Sequence, residues 1–492
     1  MEKGEIDQEV NELFEKHRMV VASNRVPYSI VKTHEGVNYK KESGGLVNAL
    51  DPILKKSHGL WVGWNGMSGP MQGKFPEHIR VSESNEEQYH LRFVPLGRDE
   101  VSRYYHGFSN RVLWPNFHNF PGKCHMDRSQ WNYYIRVNNK FSDIIFEETR
   151  GRDDIVWVHD YHLTMVPKFL RKLDRKLKIF FFLHTPFPHH DIFRIIPWCR
   201  QILRGMLGSD EIGFHIEDYA MNFLSCAENI LGLHVDYDKG MIRFDHRDVQ
   251  VCAHPISIDY DEFETLGKST AVKRHMERLR RGIGNKKLIL GVDRLDYTKG
   301  IKERLYAIER FLEKYREMRR RILFVQIAVP SRSRVEEYRS FKREVDEIVG
   351  RINGRFTVEN WSPIRYIYGS LPREELVALY RLADVALITP CKDGMNLVAK
   401  EYVASQGENC GVLVLSEFTG AALELEDALM VNPYDVDAVA DNINRALTMH
   451  PEEKRMRCNR QQDVVKKNNI YKWVSDYFKH SLPVNKAAPI NI

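Results

Sequence analysis

Short apolar runs recur along this chain, each stopped by polar residues and followed by a stretch of helical periodicity. In the first half the runs are Met19–Ser23, Ile155–Val158, Ile179–Leu183 and Ile212–Phe214. In the second they are Leu288–Val292, Ile322–Ile327, Val385–Ile388, Val412–Leu415 and Ala428–Val431. Such runs suit parallel strands covered on both faces. Between them, Leu305, Ile308, Phe311, Leu312 and Tyr315 share one face of a helix predicted over Lys302–Arg320, the spacing of a core stripe. A charged helix is predicted over about Ile6–His17, and a basic one from Lys268 to Arg281 reads as a solvated face. Alternation of this kind builds doubly wound sheets that bind ligands beyond the carboxyl ends of their strands. It pauses at His254-Pro255-Ile256-Ser257, which predicts an α/β fold of two Rossmann-like domains, 1–255 and 256–465, facing across a cleft. The tail PVNKAAPINI reads as frayed.

The polar stops carry the candidate chemistry. After the Val385–Ile388 run, Asp393, Gly394, Met395 and Asn396 lead into a helix that starts at Leu397 and contains Val398 and Glu401. A carboxylate beside free helix amides suits a polyhydroxylated ligand, because each sugar hydroxyl can donate to one and accept from the other. Helix capping by Asp393 and Asn396 would explain the same residues without a ligand. The segment GVDRLDYTKG, residues 291–300, brings Arg294 and Lys299 to another helix N-terminus. Two cations and a helix dipole at one point suit a diphosphate; internal Asp293–Arg294 and Asp296–Lys299 pairs are the alternative. Ser43-Gly44-Gly45-Leu46 has the strand–loop–helix setting of a phosphate cradle, although Gly-Gly is also an ordinary turn. Residues 104–115, YYHGFSNRVLWP, are aromatic yet too polar for simple core; such faces stack on sugars, but at this density packing is the commoner explanation.

Composition narrows the class. A chain of 492 residues, 43% hydrophobic and 28% charged, is a soluble globular protein of two or three domains. Its net charge of +6 is small, which suits an anionic small substrate and argues against a nucleic-acid partner. Seven scattered cysteines without a CxxC pair read as free thiols in a reducing compartment. With no signal-peptide core and no membrane-length apolar run, a cytoplasmic protein without a membrane partner is expected. Three DxD pairs occur, Asp236/Asp238, Asp259/Asp261 and Asp435/Asp437, but the pattern is common and the last pair reads as a helix cap. No metal or cofactor is expected. Asp435-Val-Asp437-Ala-Val439 also mimics the start of a haloacid-type phosphatase, but too little chain follows for that domain. No strand leads into GxGxxG, which sets aside the NAD-dependent oxidoreductases.

Taken in order, SNR, SGGL, the YY…FSN…LWP segment, WVHDYHL, FLHTPFP, DRLDYTKG, PSRSR, DGMNLVAKE and VLSEFTGAA resemble the trehalose-6-phosphate synthase family, from about Met19 to a helix ending near Leu482. The resemblance implies the GT-B fold, with a helix at about 466–484 crossing back onto the first domain. It also implies retaining transfer of glucose from UDP-glucose to glucose 6-phosphate, without metal and on one face of the sugar. Arg294 and Lys299 would then bind the diphosphate with the Gly45 backbone. Glu401 would hold the ribose, and backbone from Gly394 through Met395, Asn396, Leu397 and Val398 would support the nucleotide. Asp393 and His184 would line the donor glucose, with Asp160 facing the acceptor. Arg25, Tyr105, Trp114 and Arg332 would gather the acceptor and its phosphate, the two arginines reaching one cleft from opposite domains. Some relatives carry a C-terminal phosphatase, so association with a phosphatase domain or subunit, or homo-oligomerisation, is a possible partnership. The competing readings are a sister transferase acting on glycerol 3-phosphate or a cyclitol phosphate, and a non-catalytic subunit that senses sugar phosphate.

Overall fold

Each of these apolar runs is a strand, and every one lies in one of two sheets. The computed structural model describes residues 8–33, 36–41, 47, 50–51, 54–55, 57–68, 77–82, 88–149, 153–408 and 410–481. The chain divides into unit 1, which runs to Ile256 and resumes at Ile470, and unit 2, Ser257–Asn469.

Unit 1 contains β1 (Met19–Arg25), β2 (Tyr28–Thr33), β3 (Gly36–Lys41), β4 (Leu60–Trp64), β5 (His78–Ser82), β6 (Gln88–Phe93), β7 (Ile155–His159), β8 (Lys178–Phe182), β9 (Glu211–Phe214), β10 (Val235–Asp236), β11 (Met241–Phe244) and β12 (Arg247–Ala253). β2 and β3 form a separate hairpin; the others make a ten-stranded sheet ordered β10-β11-β12-β9-β8-β7-β1-β4-β6-β5. Its centre is parallel, and β5, β10 and β11 are antiparallel additions at the two edges. The helix Ile470–Ser481 packs on this sheet. Trp473 and Tyr477 stack on Trp157 with ring centroids 5.2 and 5.0 Å apart, and Tyr477 donates to the Phe181 carbonyl at 3.1 Å. Gly213 permits that approach, since a Cβ there would lie 2.6 Å from the Tyr477 ring.

Unit 2 holds a six-stranded parallel sheet of β13 (Lys287–Arg294), β14 (Ile322–Val329), β15 (Ile364–Tyr368), β16 (Val385–Ile388), β17 (Val412–Ser416) and β18 (Leu429–Val431), ordered β15-β14-β13-β16-β17-β18. Two helices differ from expectation. The core-striped one is Ile301–Lys314, ending where Tyr315 leaves helical geometry and the Arg319 side chain donates to the Leu312 carbonyl at 2.8 Å. Tyr315 is therefore not core: its hydroxyl donates to Asp441 at the surface. The basic segment starts later, as Thr270–Ile283, because the Ser269 hydroxyl caps it by accepting from the Val272 N–H. Among the described residues no helix is long and apolar enough to cross a membrane, and all seven thiols are free.

Candidate active site

In unit 2 the chemistry collects where β13 and β16 end, side by side at the centre of the sheet. Arg294 closes β13 and is exposed. The chain then makes a tight turn, Tyr297–Lys299, and reaches Gly300 at φ 64 before the helix Ile301–Lys314 begins. Gly300 is required there: a Cβ would lie 2.0 Å from the Thr389 carbonyl oxygen, in the loop that follows β16. The same two loops are tied by the Cys391 N–H, which donates to the Thr298 carbonyl at 2.8 Å.

That lacing sets Lys299 against Asp393. Lys299 Nζ donates to Asp393 Oδ2 at 2.5 Å, with both side chains nearly buried. Asn396 does two jobs. Its Nδ2 donates to Asp393 Oδ2 at 2.9 Å, while its Oδ1 accepts from the Ala399 N–H and caps the helix Leu397–Ser405 from a left-handed backbone, φ 74. Capping therefore explains Asn396 but not Asp393, which grips the lysine instead. Met395 is buried, its carbonyl accepting from Thr419 Oγ1 at 2.5 Å and from the Ala421 N–H at 2.9 Å. Gly394 is buried, and Leu397 and Val398 are half-buried in the first turn of the helix. Glu401 lies one turn further on, accepting from the Tyr380 hydroxyl at 3.2 Å, and burial pushes its carboxyl up to about 7.

The internal pairs considered for residues 293–299 are replaced by others. Asp293 turns inward to Arg304, which is fully buried on the helix Ile301–Lys314. The Arg304 guanidinium donates to Asp293 at 2.5 Å, Gln326 at 2.9 Å, Thr389 Oγ1 at 3.1 Å and the Lys299 carbonyl at 3.2 Å, so one side chain braces both loops. Asp296 accepts from Arg332 Nη1 at 2.7 Å and from the Tyr338 hydroxyl at 3.0 Å. Arg332 follows β14 at φ 46 with its side chain 4% exposed, and Glu336 nearby in sequence pairs with Arg339 and Arg343.

In unit 1 the candidates again follow strand ends. Arg25 closes β1, its guanidinium 5.0 Å from the Trp64 ring centroid, and Gly66 leaves room for it. Asp160 follows β7 at φ 73, ψ 167, a region that is nearly glycine-only, and its Oδ1 accepts from the His184 N–H at 3.3 Å. The His184 ring sits among histidines: Nε2 is 3.0 Å from His159 Nδ1, and the His215 ring lies 5.3 Å away. Burial drives the pKa of both His159 and His184 well down, so the pair is neutral.

The aromatic segment is mostly core, in line with the packing reading. Residues Val101–Leu113 form a wide helix of i to i+5 bonds in which Tyr104, Phe108, Ser109 and Asn110 are buried. Two of them are paired internally: the Tyr104 hydroxyl donates to Asn24, and Asn110 accepts from the Tyr161 hydroxyl. Trp114 is 4% exposed, 5.6 Å from Tyr161. Tyr105 stays half-buried, stacked 5.7 Å from His162. Gly45, with the rest of Ser43-Gly44-Gly45-Leu46, lies outside the described residues. The DxD pairs serve local structure: Asp259 and Asp435 cap helices, and Asp236 accepts from the Lys239 N–H.

The sequence model for glycosyltransferase family 20 matches residues 17–481. The chain belongs to glycosyltransferase family 20. A family relative from Dictyostelium discoideum, an alpha,alpha-trehalose-phosphate synthase (UDP-forming), is 42% identical over 472 residues; the match covers 96% of this chain and 63% of that longer protein. Two solved structures of the family carry ligands. A Burkholderia xenovorans alpha,alpha-trehalose-phosphate synthase in complex with glucose-6-phosphate superposes with TM-score 0.85 at 34% identity, over 94% of this chain and 99% of that one. The E. coli protein bound with UDP-2-fluoro glucose gives TM-score 0.86 at 35% identity, over 94% and 98%. The fold is thus the GT-B fold of family 20.

Strand-end reasoning singled out Arg294, Lys299, Asp393 and Asn396 as candidates but not Arg304, which braces their loops, nor His159. Arg304 gave no signal, since a mid-helix arginine beside Glu303 reads as solvated. His159 stood in the noted HDYH stretch, and its place at a strand end was the available clue.

Proposed function

We propose that this family 20 glycosyltransferase moves glucose from UDP-glucose to glucose 6-phosphate, giving trehalose 6-phosphate and UDP. The observation that carries the reading is the Lys299–Asp393 pair, braced at the end of β13 beside the exposed Arg294. Without ligand, the lysine and the carboxylate neutralise each other. A donor diphosphate competes for Lys299, and Asp393 then accepts from hydroxyls of the donor glucose in place of the ammonium. Arg294 and Lys299 stabilise the charge that grows on the departing UDP, the task a divalent ion performs elsewhere. Glu401 takes the ribose hydroxyls, and amides from Gly394 to Val398, with that of Gly45, support the nucleotide.

Arg25, Tyr105, Trp114 and Arg332 bind the acceptor, Arg332 exchanging part of its hold on Asp296 for the acceptor phosphate. Asp160 orients the acceptor hydroxyl, its strained backbone fixing the carboxylate beside the His184 amide. Retention follows if the leaving phosphate oxygen takes the acceptor proton on the face it leaves.

The test is UDP release from UDP-glucose with and without glucose 6-phosphate. Release that rises strongly with glucose 6-phosphate, and persists in EDTA, is expected. Release indifferent to the acceptor rejects the reaction, whereas loss in EDTA that magnesium or manganese restores rejects the metal-free part alone. Saturation by glycerol 3-phosphate in place of glucose 6-phosphate would select the sister-transferase reading.

A further inference from the structure

We propose that unit 1 carries a second anion site, at the end of its sheet remote from the strand-end loops, that takes a small phosphorylated ligand and acts on Asp160. The helix Val166–Leu173 brings Lys168, Arg171 and Lys172; the approach to β8 brings Arg175; the helix Cys199–Met206 brings Arg204. With Arg247 from β12 they line a cavity of about 760 Å³, the scale of a nucleotide or sugar-phosphate site.

Two of these cations belong to the frame. Arg171 and Arg247 share Asp210 Oδ1 at 2.7 and 3.3 Å and donate to the Leu177 and Leu207 carbonyls. Lys168, Lys172, Arg175 and Arg204 have no carboxylate partner among the described residues. They are also held together. A Cβ at Gly208 would lie 2.3 Å from the Lys168 backbone nitrogen, and one at Gly205 2.5 Å from the Thr164 carbonyl, so glycines let the second helix press Arg204 toward Lys168. Burial, then Lys172 and Arg204, lowers the Lys168 ammonium below its usual range. Crowding like charges in a concave wall is unfavourable, and an anion with more than one charge relieves it. The opposite lip is the β11–β12 turn, where Asp245 and His246 hold φ 49 and 61 without a glycine.

The location separates this cavity from the reaction. Its residues precede β8 and β9 or open β12, whereas Asp160, His184 and His215 follow the carboxyl ends of β7, β8 and β9. A five-residue strand sets the two ends about 17 Å apart. The route between them is short along the chain, because Asp160 and the turn Tyr161–Leu163 lead directly into the helix that carries Lys168 and Lys172. An anion drawn onto that helix biases the turn that presents Asp160.

Inorganic pyrophosphate is the probe, titrated calorimetrically into the full chain with UDP saturating. One equivalent should bind to the parent protein and to Arg294→Ala, and at least tenfold more weakly to Lys168→Ala/Arg204→Ala. Arg204→Gln, a change at an exposed side chain, repeats the test should the double variant fold poorly. In steady state, pyrophosphate should change the acceptor KM at least twofold in the parent and not in the pocket variants. No saturable binding, equal binding by the pocket variants, or loss confined to Arg294→Ala would each overturn the site. Binding without any kinetic effect would overturn its action on Asp160.

Discussion

Replacing Arg304 by methionine separates what stabilises the diphosphate loops from what they do. The guanidinium has no exposed surface, and Asp293, its partner at 2.5 Å, is 2% exposed at the side chain. Methionine keeps much of the apolar stem but strands a buried carboxylate, and breaking a buried pair in this way costs about 3–5 kcal/mol. Adding Asp293→Asn removes the stranded charge. The double variant should then lie only about 1–2 kcal/mol below the parent, the value of the unmade hydrogen bonds to Gln326 and Thr389. Catalysis should not recover with stability, since the Lys299 carbonyl and Thr389 have lost the group that fixes both loops. Urea unfolding reads the first effect, and the UDP-glucose dependence of UDP release reads the second. A loss below about 1 kcal/mol in Arg304→Met would refute the buried-pair argument. So would a double variant as unstable as the single one. Restored stability with normal donor saturation would refute the positioning role.

Arg294→Ala should cost on the order of 2–4 kcal/mol in kcat/KM for UDP-glucose, and Lys299→Ala a similar but not additive amount; near-normal rates would move the diphosphate elsewhere. Gly300→Ala forces a side chain into the Thr389 carbonyl at a left-handed position, so it should lower the melting temperature and raise the donor KM together, as thermal melts and UDP release would show. Glu401, with its carboxyl near 7 in the free protein, should make uridine affinity rise as pH climbs to about 7 and level off above. A Glu401→Gln variant should lose that slope in calorimetry. For stability the sign is reversed: the folded form keeps a proton that an ordinary carboxyl, at 4.5, has shed, so Glu401 makes unfolding easier as pH rises from 4.5 to about 7.

The fold class was legible from strands buried on both faces, because burial leaves an unbroken apolar run, although β4, buried throughout, was not among the runs read. β6 was not, since Gln88–Phe93 alternates polar and apolar residues near a sheet edge, and the edge hairpin β11–β12 alternates likewise. Periodicity placed the core stripe of Ile301–Lys314 but not its end, which depends on a side-chain cap from Arg319. At the site, the residues that end strands were visible because a polar residue stands out where an apolar run stops. Arg304 was hidden because a buried charge is recognised by its partners, and Asp293, Gln326 and Thr389 come from three separate strands or their loops. The polar members of residues 104–115 were hard to place for the same reason: Asn110 and Tyr104 are satisfied inside the core by groups distant in sequence.

The return of helix Ile470–Ser481 to unit 1 makes unit 2 an insertion, and that imposes an order on biosynthesis. When β7 and β8 leave the ribosome, Trp157 and Phe180, both buried in the finished protein, await a cover that is translated only after the whole of unit 2. Until then an aromatic face stands open to water. The nascent chain is consequently most exposed to aggregation and to chaperone capture at this sheet face, and a stall anywhere within unit 2 would prolong that exposure.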